Sequence, residues 1–184
     1  MNGRLIAIAA AAATVLALSG VAYGVGTAVV SGTPGDDTLY GTPGADVVYA
    51  KAGNDTVWAK DGNDVVYGGP GNDGLHGGAG HNVIYGGQGD DTIRGGADAD
   101  VELGGPGNDV MWVGPGRDEE YGGQGDDVLH ALADDDQPDL VDCGPGNDTA
   151  WLNVKERGLY RVRGCETINW VAPTAEQQAE ESAE

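Results

Sequence analysis

The sequence lacks phenylalanine altogether and has only two cysteines and two methionines, whereas 34 of its 184 residues are glycine. A chain with so few large apolar side chains cannot build the core of an ordinary globular enzyme. Basic residues are also scarce, with nine Lys and Arg against 30 Asp and Glu and a formal net charge of −21. Such a polyanion should repel nucleic acid and anionic membranes and attract cations.

Acidic residues are absent from the first 35 positions, where Arg4 is followed by an apolar run from Leu5 to Leu18. One positive charge, an apolar stretch and then small residues are typical of a secretory signal peptide, which we place at residues 1–28. The alternative is an uncleaved membrane anchor. Because the strictly apolar run is shorter than the ~20 residues that a membrane span needs, we expect a secreted, extracellular protein with no membrane insertion after signal cleavage.

Residues 32–130 divide into eleven consecutive blocks of nine, without insertion or deletion. Gly68-Gly69-Pro70-Gly71-Asn72-Asp73-Gly74-Leu75-His76 is one block, and its residues define positions 1 to 9. Position 6 is acidic in every block except the sixth, where it is Asn82. A fixed short period of this kind predicts a solenoid.

Positions 7 to 9 are β-branched, apolar or aromatic, as in Val65-Val66-Tyr67, while positions 1 to 6 are mostly Gly, Pro, Asn and Asp. This alternation predicts three-residue strands joined by six-residue turns, with position 8 pointing inward. If each block forms one strand and reverses direction, two blocks complete a coil and residue i stacks on residue i+18. The turns of the odd-numbered blocks then form one edge, named here the Asp91 edge, and those of the even-numbered blocks form the Asp100 edge.

The position 6 carboxylates would form a column along each edge, at the parallel-strand spacing of ~4.8 Å. Neighbouring charges at that distance repel each other, but a calcium ion midway would lie ~2.4 Å from each oxygen, which is its normal bond length. Carbonyl oxygens of the turns could complete its shell of about 6 to 8 oxygen ligands. The sequence therefore predicts that folding is coupled to Ca²⁺ binding.

The predicted metal ligands fall into two groups. On the Asp91 edge they are Asp37, Asp55, Asp73, Asp91, Asp109, Asp127 and, from a later block, Asp148. On the Asp100 edge they are Asp46, Asp64, Asp100 and Asp118. Odd blocks also carry Asp or Asn at position 5 throughout, whereas even blocks do not. Seven odd turns leave six gaps between them, so we expect six reliable calcium sites on the Asp91 edge and fewer on the other.

The block Gly104-Gly105-Pro106-Gly107-Asn108-Asp109-Val110-Met111-Trp112 matches the GGxGxDxUx pattern. The chain thus resembles the RTX, or hemolysin-type, calcium-binding repeat family over residues 32–130 and again at 143–151. The resemblance implies an all-β parallel β-roll in which position 6 side chains and carbonyls of positions 1 to 5 hold calcium between stacked turns. In the family such arrays usually follow a toxin, protease or lipase domain. Here only the signal-like segment precedes them, so lysis and hydrolysis are not implied.

Two residues break the apolar rule at position 8. Glu102 and Glu120 lie 18 residues apart and would therefore stack inside the roll. Two adjacent buried carboxylates without partners are very costly. We expect the sheet to fray or slip register there, so that both side chains reach solvent. The alternatives are an extra bound cation and a protonated acid pair.

After residue 130 the period is interrupted and then returns at 143–151, so the predicted β-roll spans residues 32–151. Residues 152–172 alternate apolar and polar side chains and would cap the last coil. In an exported protein two cysteines indicate one disulfide, Cys143–Cys165, which would staple this cap; a metal pair and two free thiols are the alternatives. The pair Cys165-Glu166 after a cysteine-bearing repeat also resembles RTX-like proteins exported by actinobacteria. Residues 173–184 are acidic without a period and are expected to be a disordered tail.

Catalysis finds no support in the sequence, because no serine or cysteine lies in a nucleophile motif and the three histidines fall at repeat positions 9 and 5. The leading hypothesis is an exported protein, not an enzyme, whose β-roll folds on binding Ca²⁺. The alternative is a calcium-rigidified surface adhesion or glycan-binding module. It would use the outward aromatic row at position 9, which includes Tyr49 and Tyr67, to contact a cell-surface glycan or protein. The same row could instead serve only to pack the strands.

Overall fold

The structure, a computed structural model, describes residues 26–172. Most of the predicted signal peptide and all of the predicted tail lie outside the described residues. The strands in chain order are β1 (Val29–Ser31), β2 (Thr38–Tyr40), β3 (Val47–Tyr49), β4 (Thr56–Asp61), β5 (Val65–Pro70), β6 (Gly74–Ala79), β7 (Val83–Gln88), β8 (Thr92–Ala97), β9 (Val101–Pro106), β10 (Val110–Trp112), β11 (Glu119–Gln124), β12 (Val128–Ala131), β13 (Leu140–Asp142), β14 (Thr149–Asn153), β15 (Arg161–Arg163) and β16 (Thr167–Val171). One 3₁₀ turn, Val154–Glu156, lies between β14 and β15.

The strands of the described region form two parallel sheets of eight strands each. One sheet runs β1-β3-β5-β7-β9-β11-β13-β15 and follows the Asp100 edge; the other runs β2-β4-β6-β8-β10-β12-β14-β16 and follows the Asp91 edge. Within the repeat the register pairs residue i with i+18, as Val66 with Ile84 and Leu75 with Ile93. The predicted all-β parallel β-roll with two blocks per coil is confirmed.

Position 8 fills the space between the sheets. Its apolar residues are at most 2 % exposed: Leu39, Val48, Val57, Val66, Leu75, Ile84, Ile93, Met111 and Leu129. The core is thus one file of side chains from each sheet, and the prediction that position 8 points inward is confirmed. Positions 7 and 9 face outward, which leaves the edges as the places where backbone groups of the turns meet.

The prediction of three-residue strands is wrong for β4 to β9 and β11, which are six residues long. The ladder continues through positions 1 to 3 of the following block, for example from Gly69 to Gly87. Position 2 is glycine in six of these strands, whereas β4 has Lys60, with φ 83°. Gly69 has φ 117°, and a Cβ there would lie 1.7 Å from the carbonyl oxygen of Lys51. Only glycine combines that backbone conformation with so close a coil contact.

Residues 152–172, predicted to cap the roll, contribute its last coil. β15 pairs with β13 in one sheet and β16 with β14 in the other. The predicted disulfide Cys143–Cys165 is present and ties this coil to the preceding one. Register shifts from 18 to 21 residues where β11 meets β13, because three residues are added in the loop before Leu140.

Candidate metal centre

Each residue at position 6 directly precedes a strand, and the stacking of coils gathers these residues into one column at each edge. In both columns Oδ1 of a carboxylate accepts a hydrogen bond from the backbone N–H of position 6 one coil earlier. On the Asp91 edge Asp73 N donates to Asp91 Oδ1 and Asp91 N donates to Asp109 Oδ1, both at 2.8 Å. On the Asp100 edge Asp100 N donates to Asp118 Oδ1 at 2.7 Å. The first oxygen of each carboxylate is therefore part of the scaffold.

The second carboxylate oxygen is buried and accepts no hydrogen bond in nine of these residues: Asp55, Asp64, Asp73, Asp91, Asp100, Asp109, Asp118, Asp127 and Asp148. Burial, followed by the charges of Asp109 and Asp73, raises the pKa of Asp91 to about 7. Burial likewise raises the pKa values of Asp100 and Asp118 to about 8. A buried carboxylate oxygen without a partner is costly, and a bound cation would remove that cost.

Asn82, the one amide in this column, shows what faces that second oxygen. Its side-chain nitrogen donates to the carbonyl oxygens of Gly80 at 3.0 Å and of Gly78 and Gly95 at 3.4 Å. These carbonyls belong to positions 4 and 2 of the same block and position 1 of the next coil. A cation in the place of this amide nitrogen would therefore be surrounded by backbone oxygens.

Carboxylate and carbonyl oxygens are the ligands that calcium prefers. Across residues 26–172 no group of three or more His, Cys, Asp or Glu side chains is placed to hold a metal ion. A calcium ion in these turns would therefore be bound by a position 6 carboxylate together with backbone carbonyls. The orphaned oxygens and the carbonyls seen around Asn82 fit that ion.

The first coil differs from the others. Asp37 Oδ2 accepts from Thr33 N at 2.5 Å and Thr33 Oγ1 at 2.9 Å, and Asp46 Oδ2 accepts from Thr42 N at 2.5 Å and Thr42 Oγ1 at 3.0 Å. Threonine stands at position 2 only in these two blocks of the repeat. Asp37 and Asp46 thus have protein donors for the oxygen that is orphaned further along the roll.

Two members of the columns were missed by the sequence reasoning. Asp118 N donates to Asp139 Oδ1, and Asp148 N donates to Glu166 Oε2, both at 2.9 Å. Asp139 and Glu166 therefore continue the Asp100 and Asp91 columns beyond the regular period. The available signal was their place directly before a strand, Leu140–Asp142 and Thr167–Val171, as for every position 6 residue.

Position 5 has a structural use on the Asp91 edge. Its side chains accept hydrogen bonds from the backbone N–H of position 5 one coil later at 2.8–2.9 Å, in the series Asp36, Asn54, Asn72, Asp90, Asn108 and Asp126. Position 6 bonds run in the opposite sense. Each coil of this edge is therefore held by two complementary rows of hydrogen bonds, which explains why position 5 is always Asp or Asn there.

The expectation that Glu102 and Glu120 reach solvent is wrong. Both are 0 % exposed, and the register stays intact, with Glu102 paired to Ile84 and Glu120. Burial, then the charges of Glu120, Asp100 and Asp118, raises the pKa of Glu102 well above its ordinary value. The backbone ladder keeps position 8 inside whatever residue it carries, and Gly95, without a side chain, leaves room for the Glu102 carboxylate.

Position 9 forms aromatic rows on both outer faces. Tyr49, Tyr67 and Tyr85 stack with ring centroids 5.1 and 4.9 Å apart, and each is 37–44 % exposed. On the other face Trp58 stacks on His76, and the Arg94 guanidinium lies 4.2 Å from the Trp112 ring. Ring faces are thus largely covered by neighbouring rings, and ring edges and hydroxyls are what the tyrosine row presents to solvent.

Fold and site together define a β-roll whose turns are built to bind calcium. The model of the RTX calcium-binding nonapeptide repeat matches residues 24–57, 31–66, 40–75, 67–102 and 103–138. The chain belongs to this family. Its repeats are generally structural rather than catalytic, and its members are typically extracellular. No curated protein matches the chain. None of the helical segments among residues 26–172 is long and apolar enough to cross a membrane.

Proposed function

We propose that the protein is an exported calcium-binding module whose β-roll folds when Ca²⁺ binds between its stacked turns. The observation that carries this proposal is the set of nine buried carboxylate oxygens without hydrogen bonds. A carbonyl of the next coil lies beside those of Asp73, Asp91, Asp109 and Asp127. Six of the nine lie in unbroken succession on the Asp91 edge, from Asp55 to Asp148. Calcium would join the turns there, so we assign six sites to this edge and fewer to the Asp100 edge.

Export agrees with this assignment. Calcium-binding modules outside the cell work with dissociation constants of roughly 10⁻⁴–10⁻³ M. The protein would therefore remain unfolded where calcium is scarce and fold after secretion. Two further features support export: the apolar segment in residues 1–28, and the Cys143–Cys165 disulfide, which persists in oxidising compartments. Mass spectrometry of the N-terminus of the secreted protein would test cleavage.

Calcium-coupled folding is tested by circular dichroism of the purified chain during titration with Ca²⁺ after removal of metals with EDTA. We expect a cooperative gain of β-structure in the millimolar range, and Mg²⁺ as the control should be far less effective because it demands a tight octahedral shell. An unchanged spectrum up to tens of millimolar calcium would refute the proposal.

A second candidate, surface adhesion or glycan binding, is favoured by one observation, the exposed row Tyr49, Tyr67 and Tyr85. Because these rings cover each other's faces, a ligand would meet their hydroxyls and edges. The test is a glycan array probed with calcium-loaded protein, with the variant Tyr67→Ala as control. Binding that Tyr67→Ala abolishes supports this role, and silence of the array with folded protein rules it out.

A further inference from the structure

In a regular turn the orphaned oxygen lies beside position 1 of its own block. A Cβ built at Gly68 would lie 2.5 Å from Asp73 Oδ2 and 2.4 Å from the carbonyl oxygen of Gly86, which is position 1 of the next coil. The equivalent atoms surround Gly77. A Cβ built there would lie 2.7 Å from Asn82 Nδ2 and 2.4 Å from the carbonyl oxygen of Gly95. One hollow therefore holds the position 6 side chain and one carbonyl of the following coil.

The turn of Asp100 departs from this arrangement. A Cβ built at Gly95 would lie 2.5 Å from Asp100 Oδ2 and also 2.5 Å from Glu102 Oε1. A side-chain oxygen from the core thus lies among the nearest neighbours of this hollow, where the regular turns have a carbonyl of the next coil. The hollow of Asp100 brings together two carboxylates from one strand end.

Glu102 reaches this hollow as a fully buried side chain. It is 0 % exposed, and neither of its carboxylate oxygens accepts a hydrogen bond of normal geometry, although the Gly95 backbone lies close to it. Oδ2 of Asp100, on the same hollow, is buried without a hydrogen bond as well. Two carboxylates that share a buried space repel each other, and a divalent cation is the ligand whose charge and preference for oxygen satisfy both at once.

We propose that Glu102 is a second carboxylate ligand for a divalent cation, calcium, bound at the Asp100 turn. This inference rests on the proposed calcium-binding function and adds a ligand from inside the roll. The site would have two side-chain carboxylates, whereas a regular turn offers one together with backbone carbonyls. It makes the Asp100 turn a strong site on the edge that the repeat pattern marks as the weaker one.

A calcium ligand at this place also explains why a glutamate follows three apolar residues at position 8 of this sheet. Position 8 of the same sheet carries Val48, Val66 and Ile84 before Glu102. Leucine at residue 102 would extend this apolar file by one coil, so the carboxylate lowers the stability of the calcium-free roll. In the calcium-bound roll the same carboxylate would instead bind the ion. Glu120, stacked on Glu102 one coil later, adds negative charge next to the site.

The test compares wild type with Glu102→Gln, Glu102→Leu and the control Glu119→Gln, which removes the same charge from an exposed position of the neighbouring strand. Bound calcium is counted by native mass spectrometry, and affinities come from isothermal titration calorimetry at pH 7. We expect both Glu102 variants to lose one calcium per chain, or to bind it at least about tenfold more weakly, since even outer-shell partners of metal ligands are worth 10–100-fold. The control should match wild type.

The contrary result is an unchanged calcium count and unchanged affinities in both Glu102 variants, with Glu102→Leu more stable than wild type in calcium as well as in EDTA. Glu102 would then be a buried residue that lowers the stability of the roll without binding calcium. If Glu102→Leu does not fold, Glu102→Gln, which keeps the shape of the side chain, decides alone. A wild type that binds no calcium would overturn the proposed function itself, whereas a wild type that binds calcium with all variants alike overturns only the role of Glu102.

Discussion

The two edges of the roll share one backbone arrangement but differ in what completes their turns. On the Asp91 edge six successive carboxylates each keep one oxygen without a hydrogen bond, and the position 5 row is unbroken from Asp36 to Asn147. Among residues 26–172, the Asp100 edge has such an oxygen at Asp64, Asp100 and Asp118, and Asn82 lies between Asp64 and Asp100. Single side chains, on one shared backbone arrangement, therefore decide whether a turn keeps a buried carboxylate oxygen without a hydrogen bond.

Three ways of closing the same turn occur in this molecule. Thr33 and Thr42 donate to the carboxylates of the first coil, and the amide of Asn82 donates to three carbonyls. The remaining turns have neither donor, and we propose a cation for them. The difference predicts a graded dependence on calcium along the chain, which substitutions at matched positions can measure.

The largest effect is expected from breaking the continuous column. Asp91→Ala should raise the calcium concentration at the midpoint of folding by about tenfold or more, because it removes a ligand and interrupts neighbouring coils that stabilise one another. Asp64→Ala should raise it by only about two- to threefold, since the next coil of that column is closed by Asn82. Circular dichroism at increasing calcium gives both midpoints, and equal shifts would remove the distinction between the edges.

Protonation of the buried carboxylates should stabilise the calcium-free roll, as calcium binding does, but to a smaller extent. Folded pKa values of about 6 for Asp55, 7 for Asp91 and 8 for Asp100 lie above the ordinary value near 3.8, mainly because of burial. The folded chain therefore binds more protons than the unfolded chain between pH 4 and 8, and stability without calcium must rise as pH falls through that window. His76 and His130, whose pKa values burial lowers to about 4, oppose this gain below about pH 6.5.

The measurement is folding by the osmolyte trimethylamine N-oxide in EDTA at pH 8, 6.5 and 5, because the calcium-free chain is unfolded without it. Stability should increase at each step, and Asp100→Asn should remove part of the gain at both steps, because Asp100 titrates near pH 8 in the folded chain and near 3.8 in the unfolded chain. Asp55→Asn should instead affect the part below pH 6.5. A calcium-free protein that becomes steadily less stable on acidification would show that these carboxylates are charged in the folded state.

Exchanging acid and amide at position 6 should reverse the metal requirement of a turn. Asp73→Asn places an amide where Asn82 has one, so stability in EDTA should rise by about 1–3 kcal/mol, the cost of an unsatisfied buried group. Asn82→Asp should lower it by a similar amount and add one calcium to the count. Osmolyte-induced folding in EDTA and native mass spectrometry in calcium give these values. Unchanged stability in both variants would show that the amide hydrogen bonds contribute nothing.

The nine-residue period was sufficient to predict the coil, the inward file at position 8 and the two columns, because all three follow from the backbone lattice. The period could not predict contacts that depend on the local space around a side chain or on residues outside the repeat. Glu102 stays inside because Gly95 leaves space for it, and Glu166 joins a column although no repeat block surrounds it. Position 5 was interpreted as part of the calcium pattern, but its oxygens accept hydrogen bonds from the backbone of the next coil.

The smallest predicted effect concerns this position 5 row. Asn72→Ala removes the acceptor for Asp90 N, a 2.9 Å bond at the exposed margin of the Asp91 edge, and should cost about 1 kcal/mol of unfolding free energy. The calcium count should stay the same. The matched change on the other edge is Ala45→Asn, which offers an acceptor to the backbone N–H of Asn63 and should raise stability by up to about 1 kcal/mol.

Both variants are measured by urea unfolding in saturating calcium, so that metal sites are filled and only the row differs. Stability and calcium stoichiometry then distinguish the two possible roles of position 5. A hydrogen-bonded row changes stability and leaves calcium stoichiometry alone, whereas a ligand position changes stoichiometry. Loss of a calcium ion in Asn72→Ala would return position 5 to the metal shell, and the regular Asp and Asn of the odd blocks would then be explained by coordination. An intact count with lower stability would instead show that the row holds the turns of the Asp91 edge together by hydrogen bonds.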